Sequence, residues 1–124
     1  MPKILVIDDD PTVRKTIGRI LDRKGHEVVM ARDGRYGLKL FASERPDLVI
    51  TDIIMPEREG IETIRAIHKI CPEAKIIAIS GGGRVGNVDF LTLAAKLGAR
   101  EIIAKPFDPA ELTASVSRCL DGGP

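Results

Sequence analysis

The sequence predicts an α/β protein with a five-stranded parallel sheet and helices on both faces. Short runs rich in Ile and Val alternate with segments of helical periodicity, and three of the runs are almost continuously apolar. Such runs are typical of parallel strands that are covered on both faces. The five runs are Lys3–Ile7, His26–Ala31, Asp47–Thr51, Lys75–Ile79 and Arg100–Ala104. Five successive β-α units favour the strand order 2-1-3-4-5.

The first helix follows the first strand directly. Asp10 is suited to cap it, and Pro11 to occupy its first position. Its apolar residues recur with helical spacing, which places them on one face. They are Val13, Ile17, Ile20 and Leu21.

The last helix begins with a similar signal. Asp108 serves as N-cap, Pro109 is the first helical residue, and Glu111 completes a capping box. Gly25 and Gly98 mark the ends of two earlier helices. The inward stripe of the last helix is predicted to contain Leu112, Val116, Cys119 and Leu120.

The bulk properties indicate one domain and exclude several functions. A chain of 124 residues with 44% apolar composition fits a single domain over residues 1–124, with a core of about 3–120 and a tail or linker start at 121–124. The formal charge of +1 and the scarcity of aromatic residues argue against direct nucleic-acid binding. No apolar run is long enough for a membrane span, and we expect a cytoplasmic protein.

Polar residues follow four of the five predicted strands, and ligands of open α/β sheets bind at these carboxyl ends. Asp10 is explained as a helix cap, and Asp52 or Lys105, taken alone, as an ordinary loop residue. Their joint occurrence instead predicts a site where neighbouring carboxylates either hold a proton or recruit a cation, for which oxygen ligands favour Mg²⁺, Mn²⁺ or Ca²⁺. The residues at the strand ends are Asp8, Asp9, Asp10, Asp52, Ser80 and Lys105.

These residues lie in motifs that resemble the receiver domains of two-component response regulators, the family typified by the chemotaxis regulator. The motifs are "ILVIDDDP", "DLVITDIIMPEREG", "IIAISGGG" and "LGAREIIAKPFDPAEL", and the resemblance runs from Lys3 to about Leu120. It implies a flavodoxin-like (βα)5 fold and a phosphorylated conformational switch rather than an enzyme. The donor would be a sensor histidine kinase or a phosphotransfer protein.

The resemblance also implies a role for each site residue. Asp52 would be the phosphoacceptor, and Ser80 and Lys105 would bind the phosphoryl group. Asp8 and Asp9 would hold Mg²⁺, or alternatively Mn²⁺, together with Asp52 and the backbone carbonyl of Ile54. Asp9 would be a direct ligand, and Asp8 would act mostly through water.

One position departs from the family pattern. Family members commonly carry Tyr or Phe three residues before the lysine, whereas this chain has Ile102, which cannot make the usual ring movement. The face built by the fourth helix, the fifth strand and the last helix is where the family docks an output domain or partner, and Ile102 lies in it. The resemblance also implies that Ile54 and Gly82 occupy the two positions that tune hydrolysis of the phosphoryl group in this family, and neither has a side chain that can hydrogen-bond to a water. We therefore expect slow self-dephosphorylation.

Two other functions fit the architecture less well. An aspartyl-nucleophile phosphatase would carry its nucleophile after the first strand and an inserted cap, whereas here Asp52 follows the third strand. A receiver-like scaffold that signals by binding alone would not require Asp52, Lys105 and the acid pair together.

Overall fold

Five parallel strands form one sheet in the order β2-β1-β3-β4-β5, as the sequence predicts. The computed structural model describes residues 1–53, 59–80, 96 and 98–121, with the backbone alone at 59, 60 and 80. The strands are β1 (Lys3–Ile7), β2 (Glu27–Ala31), β3 (Leu48–Asp52), β4 (Ile76–Ser80) and β5 (Glu101–Ala104). The helices described are α1 (Pro11–Arg23), α2 (Gly34–Glu44), α3 (Glu59–Ile70) and the C-terminal helix α4 (Pro109–Asp121).

The central strands are covered on both faces. In β1, alternate residues enter opposite clusters, because successive side chains of a strand point to opposite faces. One cluster joins the sheet to α1 and α4, and it contains Ile4, Val6, Ile17, Leu21, Ile50, Ile79, Leu112 and Val116. The other joins the sheet to α2 and α3, and it contains Leu5, Ile7, Phe41, Val49, Ile64, Ile67 and Ile76. This two-sided burial explains why β1 and β3 read as continuous apolar runs.

The predicted helix caps are confirmed. The carboxylate of Asp10 accepts a hydrogen bond from the backbone N–H of Thr12. Asp108 and Glu111 each accept from the other's backbone N–H, at 2.8 and 3.2 Å, and so form the capping box. Gly25 has a φ of 87° just beyond α1, a conformation that glycine adopts without steric cost.

Several boundaries differ from the predicted ones by one residue. β2, β3, β4 and β5 each start one residue later than predicted, at the variable margin between loop and strand. β3 and β4 also continue one residue further, so that Asp52 and Ser80 are the last residues of their strands. The helix predicted between β4 and β5 lies outside the described residues except for Lys96. No helix in the described ranges is both long and apolar enough to cross a membrane.

Candidate functional site

Three carboxylates meet at the carboxyl ends of β1 and β3, which are neighbours in the sheet. Asp8 and Asp9 follow β1, and Asp52 ends β3. One carboxylate oxygen from each residue lies within 4.8 Å of the other two. Asp8 and Asp52 are only 1% and 4% exposed, whereas Asp9 is open to solvent. The structure thus brings together the three acidic residues that were predicted to hold a metal.

Lys105 connects the two buried carboxylates. It follows β5, and its Nζ lies 2.9 Å from Oδ2 of Asp52 and 3.3 Å from Oδ2 of Asp8. The peptide bond between Lys105 and Pro106 is cis. The ammonium group therefore balances part of the negative charge that the sheet concentrates at this edge.

Burial and pairing shift two pKa values in this cluster. Burial raises the pKa of Asp8, although the N–H of Asp10 and the charge of Lys105 act in the opposite direction. Burial lowers the pKa of Lys105, but its bonds to Asp52 and Asp8 outweigh this effect and the net pKa is raised. Lys105 is consequently a cation throughout the neutral range. One ammonium opposite three carboxylates leaves net negative charge on an all-oxygen donor set, which fits a hard divalent cation such as Mg²⁺.

Arg14 also contacts the site, although sequence reasoning did not include it. Its Nη1 donates a hydrogen bond of 2.7 Å to the backbone carbonyl of Asp8. The N–H of Asp10 donates to Oδ1 of Asp8 at 2.9 Å. Asp8 is therefore held at its backbone carbonyl and at both carboxylate oxygens. Of these three contacts, only the one with Asp10 lies close enough in sequence to be predicted locally.

The remaining predicted residues are described in part. Ser80 ends β4 and is paired in register with Ala104, so its backbone lies next to the strand that carries Lys105. The Ser80 side chain, Ile54 and Gly82 lie outside what the structure describes. Ile102 is partly buried against the cluster that joins the sheet to α2 and α3.

Comparison with known families agrees with this arrangement. The model of the response regulator receiver domain matches residues 4–117. The chain belongs to this family. Its receiver domain has the flavodoxin-like fold predicted from the sequence, and it is a signalling domain of two-component response regulators rather than a conventional enzyme.

Relatives of this receiver domain occur alone and within longer proteins. It is 36% identical over 117 residues to the chemotaxis protein CheY of Thermotoga maritima, covering 94% of this chain and 95% of that protein. It is 37% identical to the DNA-binding transcriptional regulator NtrC of Azospirillum brasilense, covering 95% of this chain but only 24% of that one. The chain thus spans nearly all of one relative and about a quarter of the other.

Solved receiver structures have the same architecture. A response regulator receiver domain protein from Clostridium thermocellum superposes with a TM-score of 0.87 at 35% identity, over 98% of this chain and 96% of that one. The predictions of family and fold are confirmed. The roles of the individual site residues remain predictions.

Proposed function

We propose that this receiver domain accepts a phosphoryl group on Asp52 from a phosphohistidine, in a reaction that requires Mg²⁺ or alternatively Mn²⁺. The observation that carries the proposal is the contact of Lys105 with Asp52 inside a cluster of three carboxylates. A loop lysine and a turn-forming aspartate would not need to meet beside a second buried carboxylate. Their contact supports a shared chemical task.

The transfer follows from the chemistry of a carboxylate nucleophile. An oxygen of Asp52 attacks phosphorus, the bond from phosphorus to the donor nitrogen breaks, and the electron pair stays with the imidazole. The product is an acyl phosphate. Negative charge spreads over the equatorial oxygens in the transition state, so the site must supply positive charge and hydrogen-bond donors.

Lys105 is placed to meet part of this charge. Its ammonium already lies 2.9 Å from Asp52 and needs only a small movement to pair with a phosphoryl oxygen on that carboxylate. Asp8 also binds Lys105, which keeps the ammonium at the site while Asp52 changes its bonding. The hydroxyl of Ser80, at the end of β4, would donate to another oxygen.

The three carboxylates and the carbonyl of Ile54 would hold the cation. When bound, Mg²⁺ supplies positive charge that neutralises a phosphoryl oxygen. Asp9 is the exposed carboxylate and suits direct coordination. Asp8 has both carboxylate oxygens engaged by the protein and suits a contact through water.

The partners and the extent of the domain complete the proposal. The donor is a sensor histidine kinase or a phosphotransfer protein. The similarity to the sporulation initiation phosphotransferase F of Bacillus subtilis, at 30% identity, supports a part for this chain in phosphoryl transfer. Residues 1–124 form one domain that acts in the cytoplasm. An output domain or partner would dock on the face formed by β5, the C-terminal helix α4 and the helix predicted between β4 and β5.

Labelling with a small-molecule donor tests the acceptor. Incubation with acetyl phosphate or phosphoramidate and Mg²⁺ should attach one base-labile phosphoryl group per chain, detected by intact mass spectrometry. Asp52→Asn should abolish labelling, because the amide has almost the same size but is a poor nucleophile. Asp10→Asn is the matched control, since Asn also caps helices and labelling should persist.

The other functions predict different outcomes in this assay. Undiminished labelling of Asp52→Asn would refute the acceptor assignment. Complete absence of labelling in the wild type would support a binding scaffold. Continuous hydrolysis of a phosphomonoester would support a phosphatase.

The lifetime of the phosphoryl group is expected to be long. Hydrolysis requires a water held in line with the acyl phosphate, and neither Ile54 nor Gly82 has a polar side chain to orient it. Ile54→Glu or Ile54→Asn should therefore accelerate decay of the labelled protein. Rapid wild-type decay that neither substitution changes would contradict this explanation.

A further inference from the structure

A groove lies between α1 and α2, beside the edge strand β2. Side chains from both helices, from β2 and from the connection between β2 and α2 line it. None of its residues has a role predicted from the sequence. Its walls combine several basic side chains with exposed apolar side chains. Its basic residues are Arg14, Lys15, Arg32, Arg35 and Lys39.

The charge of the groove is far from the average of the chain. Nineteen basic and eighteen acidic residues almost balance in the whole sequence. The groove wall holds five basic residues and a single acidic residue, Asp33, which lies 4.0 Å from Arg32. Within the part of the chain that the structure describes, no ion pair joins Lys15, Arg35 or Lys39 to a carboxylate. These three cations are available to an outside partner.

The groove also exposes large apolar side chains. Met30 and Tyr36 are 42% and 47% exposed, and they are two of the four exposed large hydrophobic residues among the described ones. Leu38 contributes further apolar surface. Methionine adapts to varied partner shapes, and tyrosine gives rigid contact area with a polar end, so both are common at protein-binding surfaces.

We propose that this groove binds an acidic, amphipathic segment of a protein partner. Carboxylates of the segment would pair with Lys15, Arg35 and Lys39, while its apolar side chains would cover Met30 and Tyr36. A nucleic acid or an anionic bilayer surface would satisfy the cations through phosphates. Duplex DNA has no apolar surface that would cover Met30 and Tyr36, and a flat bilayer fits a groove with walls from α1 and α2 less well than a single protein segment does. The inference does not depend on phosphorylation of Asp52, because none of its observations involves that residue.

The chain contains its own reporter for this binding. Tyr36 is the only tyrosine and there is no tryptophan, so intrinsic tyrosine fluorescence comes from the groove alone. The probe is a panel of synthetic helical peptides that carry Glu on one face and Leu on the other, lack aromatic residues, and differ in the spacing of Leu. At least one peptide should change Tyr36 fluorescence saturably. Replacing its Glu residues with Gln should weaken binding by about tenfold or more, since the paired charges are lost.

Charge-reversal variants locate the binding site. Arg35→Glu combined with Lys39→Glu should weaken binding of the acidic peptide by about tenfold or more. The matched control combines Arg23→Glu with Lys69→Glu, which changes the net charge equally at exposed positions outside the groove. This control should change affinity by no more than about twofold at moderate salt. Circular dichroism and urea unfolding of both double variants establish that they remain folded.

Several results would overturn the inference. Equal binding of the Glu and Gln peptides, or equal losses of affinity in the two double variants, would show that the groove charges do not contribute to binding. Absence of binding across the whole panel would show that the groove is not a binding site for such a segment. Tighter binding of duplex DNA, inorganic polyphosphate or phosphatidylglycerol vesicles, lost in the groove variant, would assign the groove to phosphate-bearing surfaces instead.

Discussion

Replacing Lys105 with Met should destabilise the metal-free protein through the carboxylates that it leaves behind. The ammonium lies 2.9 and 3.3 Å from two carboxylate oxygens, which at an effective dielectric constant of about 20 corresponds to roughly 5 to 6 kcal/mol of attraction for each pair. The carboxylates themselves, within 4.8 Å of one another, repel by about 3.5 kcal/mol or more. The variant loses both attractions and keeps the repulsion.

Screening by water makes the measured loss of stability smaller than these Coulomb energies. The Lys105 side chain is 21% exposed, so water already screens part of the attraction. Removing one partner of a buried ion pair typically costs about 3 to 5 kcal/mol, and we expect a loss of about 2 to 4 kcal/mol in the free energy of unfolding at neutral pH. Lys69→Met, at an exposed position on α3, is the control and should change this free energy by less than about 0.5 kcal/mol.

The pH dependence identifies the cause. The folded-state pKa of Asp8 is raised above its usual value, so ionisation of Asp8 opposes folding. Removing Lys105 removes an interaction that lowers this pKa, so the pKa of Asp8 rises further in the variant. The loss in Lys105→Met should be complete above the folded-state pKa of Asp8 in the variant and fade as the pH falls from there towards the wild-type pKa. Asp8→Asn added to Lys105→Met should recover part of the loss, because it removes the buried charge of Asp8 and its repulsion of Asp52 but not the lost pairing of Asp52 with Lys105.

Urea denaturation followed by circular dichroism, at several pH values and without divalent cations, measures each of these quantities. A loss in Lys105→Met that is independent of pH, or that Asp8→Asn does not relieve, would refute the electrostatic explanation.

Two further predictions concern the metal and the packing below it. Asp9→Ala should weaken Mg²⁺ binding more than Asp8→Ala does, because a direct ligand is lost; equal losses in a metal titration would contradict the division of roles. Gly37→Ala should lower the free energy of unfolding by about 1 to 2 kcal/mol, because its Cβ would lie 2.5 Å from Cδ1 of Ile7 and overpacking exceeds the gain in helix propensity. Gly18→Ala is the control, since its Cβ would have no contact closer than 3.4 Å, and chemical denaturation should show no loss.

The fold could be predicted because its signals are local and repeated. The carboxyl ends of parallel strands share one edge of a sheet, so the residues that follow the strands converge once the strand order is known. This reasoning predicted that Asp52 and Lys105, 53 residues apart in sequence, would meet. The helix caps at Asp10 and Asp108 could also be predicted from the sequence, because each depends on residues only two or three positions away.

The details that sequence reasoning missed depend on tertiary contacts or lack a characteristic residue. Arg14 on α1 reads as an ordinary helical cation, and only the packing of α1 against the sheet brings it to the carbonyl of Asp8. Arg45 caps the C-terminus of α2 with a φ of 49°, a left-handed conformation that glycine or asparagine usually adopts. Because an arginine occupies this position, the sequence does not indicate that the helix ends here.

The neighbouring residues Asp8 and Asp9 show how one strand end divides two identical side chains between two tasks. Asp8 lies 1% exposed, and its carboxylate is engaged by the N–H of Asp10 and the ammonium of Lys105. Asp9 is exposed, so its carboxylate is hydrated and would, under the proposed function, exchange that water for a cation. Burying Asp9 as well would add a third desolvated carboxylate beside Asp8 and Asp52 and destabilise the fold. Exposing Asp8 as well would leave Lys105 without a second fixed partner beside Asp52. Under the proposed function, this division would let Asp8 hold the lysine for transfer while Asp9 takes up the metal.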